Sequence, residues 1–299
     1  MPAVRIGTRP SKLAVKQAEM VARRLDDAGC QTEIVKISST GDTDSVSPLY
    51  EMDRTGVFVA ELNQNVLDRN VDIAVHSAKD LPSILSGGLE ISGTLPRENF
   101  LDALVSRFNL KSLPSGSRIG TSSIRRIHEL KSFRPDLVAE NIRGNIDTRI
   151  RKFLDGQYDG IIIAEAGIHR LGINIPYSLL TEDDFLPAPN QGIIAIVSRV
   201  DYENSDLIRK ISHQDTMDIL KMERKLMTDL NLGCSVPAGI LCKKTEFGYR
   251  IRCRFYSRTS KEFKEFSRTF IDETGLEELV KEIIERMPAS YGYNFGKGV

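Results

Sequence analysis

Twice in this chain a short apolar strand ends on Ile-Gly-Thr and passes through small polar residues into an amphipathic helix, at Ile6-Gly7-Thr8 and at Ile119-Gly120-Thr121. A strand that hands over to a helix within a few residues is half of a βα unit. Such units repeated along a chain build a mostly parallel sheet covered by helices. In the first run VRIGTR reads as a strand, Ala14, Ala18, Val21, Ala22 and Leu25 recur at helical spacing until Gly29, and Thr32 to Ile37 reads as a second strand. Phe58, Val59, Leu62 and Val66 mark another helix, and VDIAV at 71–75 is apolar enough for a strand covered on both faces. The second run places strands at 103–105, 117–120, 137–141 and 160–164, with helices carrying Ile124, Ile127 and Leu130 and then Ile146, Ile150 and Leu154. Two α/β lobes follow, each expected to aim a helix N-terminus with its free N–H groups into a shared cleft.

Beyond LPAPNQGIIAIVSR the pattern changes. A helix with Ile219, Leu220, Glu223, Leu226, Met227 and Leu230 leads into strictly alternating strands (Ile251, Cys253, Phe255). A last helix carries Leu276, Leu279, Val280, Ile283, Ile284 and Met287 on one face. This reads as a small α+β domain. Between the early elements, residues 38 to 57 have no period and are rich in Ser, Asp, Thr and Gly, as in an exposed loop that covers a site or lies idle.

Charge decides which functions are open. The 41 basic and 41 acidic residues cancel, so the whole molecule has no field to draw it to nucleic acid or an anionic membrane. No segment approaches the roughly 18 apolar residues of a membrane span, and MPAVRIGTRP lacks a charged region followed by an apolar run. A soluble cytoplasmic protein without nucleic-acid or membrane partner is expected. Between Arg118 and Lys152, however, seven arginines (Arg118, Arg125, Arg126, Arg134, Arg143, Arg149, Arg151) and two lysines face four acids. Arginine forks hold carboxylates through paired hydrogen bonds, so arginines converging on a cleft imply a multiply anionic ligand; the plainer alternative is a solvated helix face. GTSS before Arg125 and Arg126 looks like an anion-binding helix start.

Asp80 lies just beyond the 71–75 strand, where α/β sheets place ligands, and Leu81-Pro82 stiffens the backbone behind it. An ionised acid there either pairs structurally or stabilises a developing cation, and spacing by itself favours the pair. Of the four cysteines, Cys234 sits in a turn before Pro237 and suits a thiol presented from a loop; Cys242 and Cys253 fall on apolar strand positions and Cys30 follows a helix stop. Spacing leaves open whether Cys234 is reactive or inert. His76, His128, His169 and His213 are scattered without zinc-site spacing, and neither G-x-G-x-x-G nor G-x-x-x-x-G-K-[ST] occurs, so no metal and no nucleotide are expected.

In order along the chain stand IGTRPSKLA, GVFVAEL, DIAVHSAKDLP, IGTSSIRR, IRGNIDTRI, AEAGIHRLG, LPAPNQG and GCSVPAG. On these eight motifs, from about residue 4 to 240, the chain resembles the porphobilinogen deaminase (hydroxymethylbilane synthase) family. The resemblance implies two periplasmic-binding-protein-like (type II) α/β lobes with mixed, mostly parallel sheets, plus a small C-terminal α+β domain. The boundaries it suggests are 1–96 with 192–214, then 97–191, then 215–299. It also implies a transferase, a monomer, that joins four molecules of porphobilinogen, a pyrrole with two carboxylate arms, into linear hydroxymethylbilane with loss of ammonia. Growth would start from a dipyrromethane cofactor bound through a thioether to Cys234, with Asp80 as the catalytic residue.

By position in the motifs, contacts to the cofactor and substrate carboxylates carry over to Arg9, Ser11, Lys79, Thr121, Ser122, Ser123, Arg125, Arg126, Arg143, Gly144, Arg149, Arg170 and Gln191. Arg54 and Phe58 belong to the corresponding lid. Where many relatives carry a glycine-and-lysine run, this chain has Asp53-Arg54-Thr55-Gly56, with Arg54 the candidate replacement for the lysines. Asn190 stands for the first glycine of GQG, and Ala78 for the methionine of HSMKD. A solute-binding protein for organic anions is the rival that two lobes would suit, and the lack of an export signal speaks against it.

Overall fold

A computed structural model describes residues 3–38, 54–233, 236–258, 260, 262–293 and 295, without the side chains of 54–58. They divide into two compact units, one formed by 1–98 with 192–220 and the other by 99–191 with 221–299.

In the first unit β1 (Val4–Thr8), β2 (Thr32–Lys36), β3 (Ile73–Ser77), β4 (Leu89–Thr94) and β10 (Ile194–Arg199) form one sheet in the order β2-β1-β3-β10-β4. Helix α1 (Lys12–Asp27) starts at Ser11, whose side chain accepts from the Ala14 amide, and ends before Gly29, which takes the left-handed φ of +84°. Its Ala18, Val21, Ala22 and Leu25 pack with Ile6, Ile73, Val75 and Ile196 on one face of the sheet, joined by Ile208 from α6 (Ser205–Ile211). On the other face Val59, Leu62 and Val66 of α2 (Arg54–Leu67) meet Ala74, Ala195 and Val197, with Met217 and Leu220 from α7 (Gln214–Asp229). Each fully buried Leu, Ile or Val contributes ~1.5–3 kcal/mol, and covering both faces explains the nearly continuous apolar run of β3.

Two element boundaries differ from expectation by more than one residue. Helix α2 begins at Arg54, inside the stretch 38–57 read as loop, because periodicity marks only the packed face and a first turn can precede it; residues 39–53 lie outside the described residues. Strand β3 runs 73–77 and not 71–75, since pairing with β1 starts at Ile6 opposite Ile73 while Asp72 turns to bind the backbone and side chain of Arg5. The sequence assigns no strand to β4, β9 (Ser178–Leu180) or β10; β4 and β9 are sheet edges with mixed burial and no clean period, while β10 is a wholly buried inner strand without alternation.

The second unit repeats this strand plan with β5 (Asp102–Ser106), β6 (Arg118–Gly120), β7 (Val138–Glu140), β8 (Gly160–Ala164) and β9, in the order β7-β6-β8-β5-β9. Its βα connections carry α3 (Ile124–Phe133), α4 (Ile146–Leu154) and α5 (Glu165–Arg170). The Ile-Gly-Thr echo is thereby a topological one, since β1 and β6 each lie between two parallel neighbours. A Cβ on Gly7 would come within 2.9 Å of Val71 and one on Gly120 within 3.0 Å of Ile161, so at both places glycine lets a neighbouring side chain close over the strand. The sheets are mixed, but parallel pairing does not predominate: each has two parallel and two antiparallel pairings, because β10 and β5 run against their neighbours.

In the same unit β11 (Ala238–Thr245), β12 (Gly248–Tyr256) and β13 (Phe263–Phe270) form an antiparallel sheet with α8 (Glu273–Arg286) packed on it, Gly275 lying against Phe270. Leu276, Leu279, Val280 and Ile283 are buried, whereas Ile284 is 41% exposed and drops out of the expected stripe. The α/β lobes with mixed sheets and the small C-terminal α+β segment are thus present. Helix α7 crosses the division of the units at Leu220, so the C-terminal segment groups with residues 99–191.

Candidate active site

In the first unit the parallel pair β1 and β3 ends side by side, and the residues that follow carry the candidates Arg9, Ser11, Lys79 and Asp80. Ser11 is occupied as the cap of α1, accepting from Ala14 N at 3.3 Å. Asp80 closes a 3₁₀ turn, Ala78–Asp80, that is pinned at its start by the Ala78 amide donating to Ile193 O at 3.0 Å and at its end by buried Leu81. A turn held this way presents the half-buried Asp80 from a fixed backbone. Behind it, His76 is buried with Nε2 3.0 Å from Asn63 Oδ1, and Gln17 Nε2 donates to Ser77 Oγ at 2.8 Å. Burial, with the nearby charge of Arg9, pulls His76 down to about 4, so the ring is neutral at physiological pH.

In the second unit the ends of the parallel strands β7, β6 and β8 collect the candidates in the same way. Thr121, Ser122 and Ser123 follow β6. The buried Thr121 amide donates to Glu140 O, Ser122 Oγ donates to Asn141 Oδ1 at 2.6 Å, and Ser123 caps α3. Arg143 and Gly144 follow β7, with Gly144 at φ +107°, a conformation that favours glycine, and with Arg149 Nε donating to its carbonyl at 2.7 Å. Arg170 is buried in α5 after β8. Arg118 and Arg134 of the arginine-rich stretch instead pair with Asp159 and Asp136.

Arg125 and Arg126 are not on a solvated face: they are 5% and 7% exposed. Arg125 Nη2 donates to Asp102 Oδ2 at 2.8 Å, and its Nη1 donates to Glu129 and, at 2.8 Å, to Leu186 O. Arg126 Nη2 donates to Asp102 Oδ1 at 2.7 Å and Nη1 to Ile162 O at 3.0 Å. Gln191 Nε2 reaches the same Asp102 Oδ1 at 2.8 Å. The buried Nε of each arginine has no partner among the described residues. Burial pushes the Asp102 carboxyl up, but Arg125 and Arg126 outweigh it and hold the group well below the usual carboxylate range. For Glu129 burial wins over Arg125, and its carboxyl rises to about 8.

Read from the sequence, Glu129 counts among the acids of the 118–152 stretch without a partner, and Asp102 is given no part. Glu129 stands four residues after Arg125, the spacing of a helical ion pair, and Asp102 is an acid inside an apolar strand, which is the signal that could have found it.

Cys234 lies outside the described residues, as do the side chains of Arg54 and Phe58. Cys30, Cys242 and Cys253 are buried free thiols, and burial pushes Cys253 far above the ordinary thiol range, so none of the three is a presented nucleophile. Among the described residues no helix is long and apolar enough to cross a membrane.

The model of the family described as "Porphobilinogen deaminase, dipyromethane cofactor binding domain" matches residues 4–206. The chain belongs to the porphobilinogen deaminase family. A probable porphobilinogen deaminase of Thermoplasma volcanium is 47% identical over 290 residues, 97% of this chain and 98% of that protein. Those of Picrophilus torridus and Thermoplasma acidophilum are 50% identical over 88% of this chain and 92% of theirs, and 45% identical over 98% of this chain and 99% of theirs. Among solved structures, a periplasmic substrate-binding protein of an ABC transporter from Coxiella burnetii superposes with a TM-score of 0.43 at 15% identity, over 74% of this chain and 96% of that one. The porphobilinogen deaminase match contains Asp80, both candidate strand-end clusters and Gln191, and stops short of Cys234.

Proposed function

We propose that the chain is a hydroxymethylbilane synthase, a transferase that condenses four porphobilinogen molecules head to tail onto a dipyrromethane primer on Cys234, releases ammonia at each addition and frees linear hydroxymethylbilane by hydrolysis. The observation that carries this reading is a family relationship over nearly the whole length, in a chain whose candidate contacts are cations and hydroxyls at strand ends. Guanidinium and hydroxyl donors suit a ligand with several carboxylates, and the buried, unpartnered Nε groups of Arg125 and Arg126 are donors in search of acceptors. On that chemistry the residues fit the dipyrromethane. When bound, it supplies the free pyrrole α-carbon at which growth occurs.

The residues of the chain then divide the work. Arg9, Lys79, Arg125, Arg126, Arg143, Arg149 and Arg170 hold carboxylates, with Ser11, Thr121, Ser122, Ser123, Gly144 and Gln191 shaping the same contacts. Asp80 accepts from pyrrole N–H groups and offsets the positive charge that develops on the substrate as ammonia leaves. For unit charges 4 Å apart at an effective dielectric near 20 that attraction is about 4 kcal/mol. Arg54 and Phe58 act as the lid. The reading includes a monomer in the cytoplasm without nucleic-acid or membrane partners; the balanced charge supports the lack of those two partners.

The test is intact mass together with Ehrlich's aldehyde reagent on freshly purified protein. Wild-type protein should be heavier than its sequence and colour with the reagent, and Cys234→Ala should lose both signals. Active wild-type protein that has neither adduct nor colour would overturn the reading.

A further inference from the structure

Arg125, Arg126 and Gln191, all read as ligand contacts, converge on one carboxylate to which that reading gives no part. Asp102 Oδ2 accepts from Arg125 Nη2 at 2.8 Å, while Oδ1 accepts from Arg126 Nη2 at 2.7 Å and Gln191 Nε2 at 2.8 Å. Asp102 is fully buried on β5, between β8 and β9. A carboxylate placed there is costly to desolvate, and well-packed apolar residues hold strands together at least as well as buried ion pairs do. Its contribution is geometric. A guanidinium gripped at one Nη cannot swing, so one anchor fixes the planes of two adjacent forks and the amide beside them.

What the anchor leaves over is as informative as what it takes. A guanidinium has five N–H groups. Arg125 commits three of them, two to Glu129 and Leu186 O through Nη1 and one to Asp102. Arg126 commits two, to Ile162 O and Asp102, and no buried carboxylate of its own balances it, because Asp102 is shared. The remaining donors of Arg126 keep the orientation that Asp102 sets.

We infer that Asp102 is a positioning residue for carboxylate binding, acting through Arg125, Arg126 and Gln191 without touching the ligand. This rests on the proposed function for the identity of the ligand and on the geometry alone for the role.

The test compares wild-type, Asp102→Asn and Asp102→Glu full-length chains. The readouts are the fraction of chains with the Cys234 adduct by intact mass, KM and kcat for porphobilinogen, and thermal stabilisation by benzene-1,2,4,5-tetracarboxylate, a flat polycarboxylate probe. Asp102→Asn keeps the shape and removes the charge; the expected result is KM raised about tenfold or more with kcat per adduct-bearing chain nearly unchanged, a smaller fraction of chains with the adduct, and stabilisation by the probe lost. Should Asp102→Asn fail to fold by circular dichroism, Asp102→Glu decides, since it retains the charge but displaces both forks by one methylene and should show the same rise in KM. Wild-type KM, adduct and probe response in a folded Asp102→Glu or Asp102→Asn would overturn the inference while leaving the proposed function standing. Wild-type protein without adduct, yet stabilised by the probe in a way that Asp102→Asn abolishes, would sink the proposed function and uphold the role of Asp102.

Discussion

The hydroxyl of Tyr256, the last residue of β12, donates to Glu129 Oε1 on α3 at 3.1 Å, and both side chains are fully buried. The helix that carries Arg125 and Arg126 is thus tied to the C-terminal sheet across 127 residues of sequence. Arg254, two residues earlier on the same strand, lies over the rings of Phe133 and Phe263 and donates to the carbonyls of Asp183 and Asp184, which closes the same contact. Tyr256→Phe keeps the ring and leaves a buried carboxyl oxygen of Glu129 short of a donor. We expect a loss of ~1–3 kcal/mol, read as a lower urea midpoint with an unchanged slope. An unchanged midpoint would remove this bond from the account.

Glu129 itself sets a pH dependence. Its carboxyl rises from an ordinary 4.5 to about 8, by burial first, against Arg125. An acid raised in the folded state keeps its proton where the unfolded chain has lost it. Its contribution is therefore whole below pH 4.5 and is lost as pH rises towards 8. The stability of wild type relative to Glu129→Gln should fall by ~1.4 kcal/mol for each pH unit across that window. Denaturation at pH 5, 6, 7 and 8 checks it, and a flat difference contradicts it.

His76 works in the opposite direction. Its ring is lowered from 6.5 to about 4 by burial and by Arg9. The stability that it contributes is present above pH 6.5 and is lost as pH falls towards 4, where the unfolded chain takes up a proton that the folded one refuses. His76→Gln, able to keep a hydrogen bond to Asn63, should unfold less readily than wild type at pH 4.5 relative to pH 7.5.

Gly239 faces Leu186 so closely that a Cβ would lie 2.6 Å from its carbonyl oxygen, the acceptor of Arg125 Nη1. Gly239→Ala must push the 186–187 backbone away from β11 and from Arg125. A loss of ~1–3 kcal/mol is expected from the overpacking, visible as a lower melting temperature. Wild-type melting would mean that this backbone yields freely.

Asp80→Asn should fold and keep the Cys234 adduct, because its pinned turn is held by backbone bonds and by Leu81. Turnover should fall by ~3 orders of magnitude or more if the ~4 kcal/mol of charge stabilisation is lost. Substantial turnover with an intact adduct would reassign Asp80 to a structural role.

The Ile-Gly-Thr echo, the caps at Ser11 and Ser123 and the helical faces of α1 and α3 were legible in the sequence because each depends on residues within a few positions of one another. Period, cap and turn are local physics, and they sufficed for two α/β lobes and for naming the strand ends where Asp80 and the arginines stand. The edge strands β4 and β9 were not legible, since an edge has only one partner strand and an irregular burial pattern. Nor could the sequence tell which charges of the 118–152 stretch were free to act. The fold adds the pairing: Asp102, 23 and 24 positions away, anchors Arg125 and Arg126, and Tyr256, 127 positions away, bonds Glu129. A side chain's charge is written in the sequence, but its burial and its partner exist only after distant segments have packed, and those two quantities decide whether a buried arginine serves as a strut or a binding group.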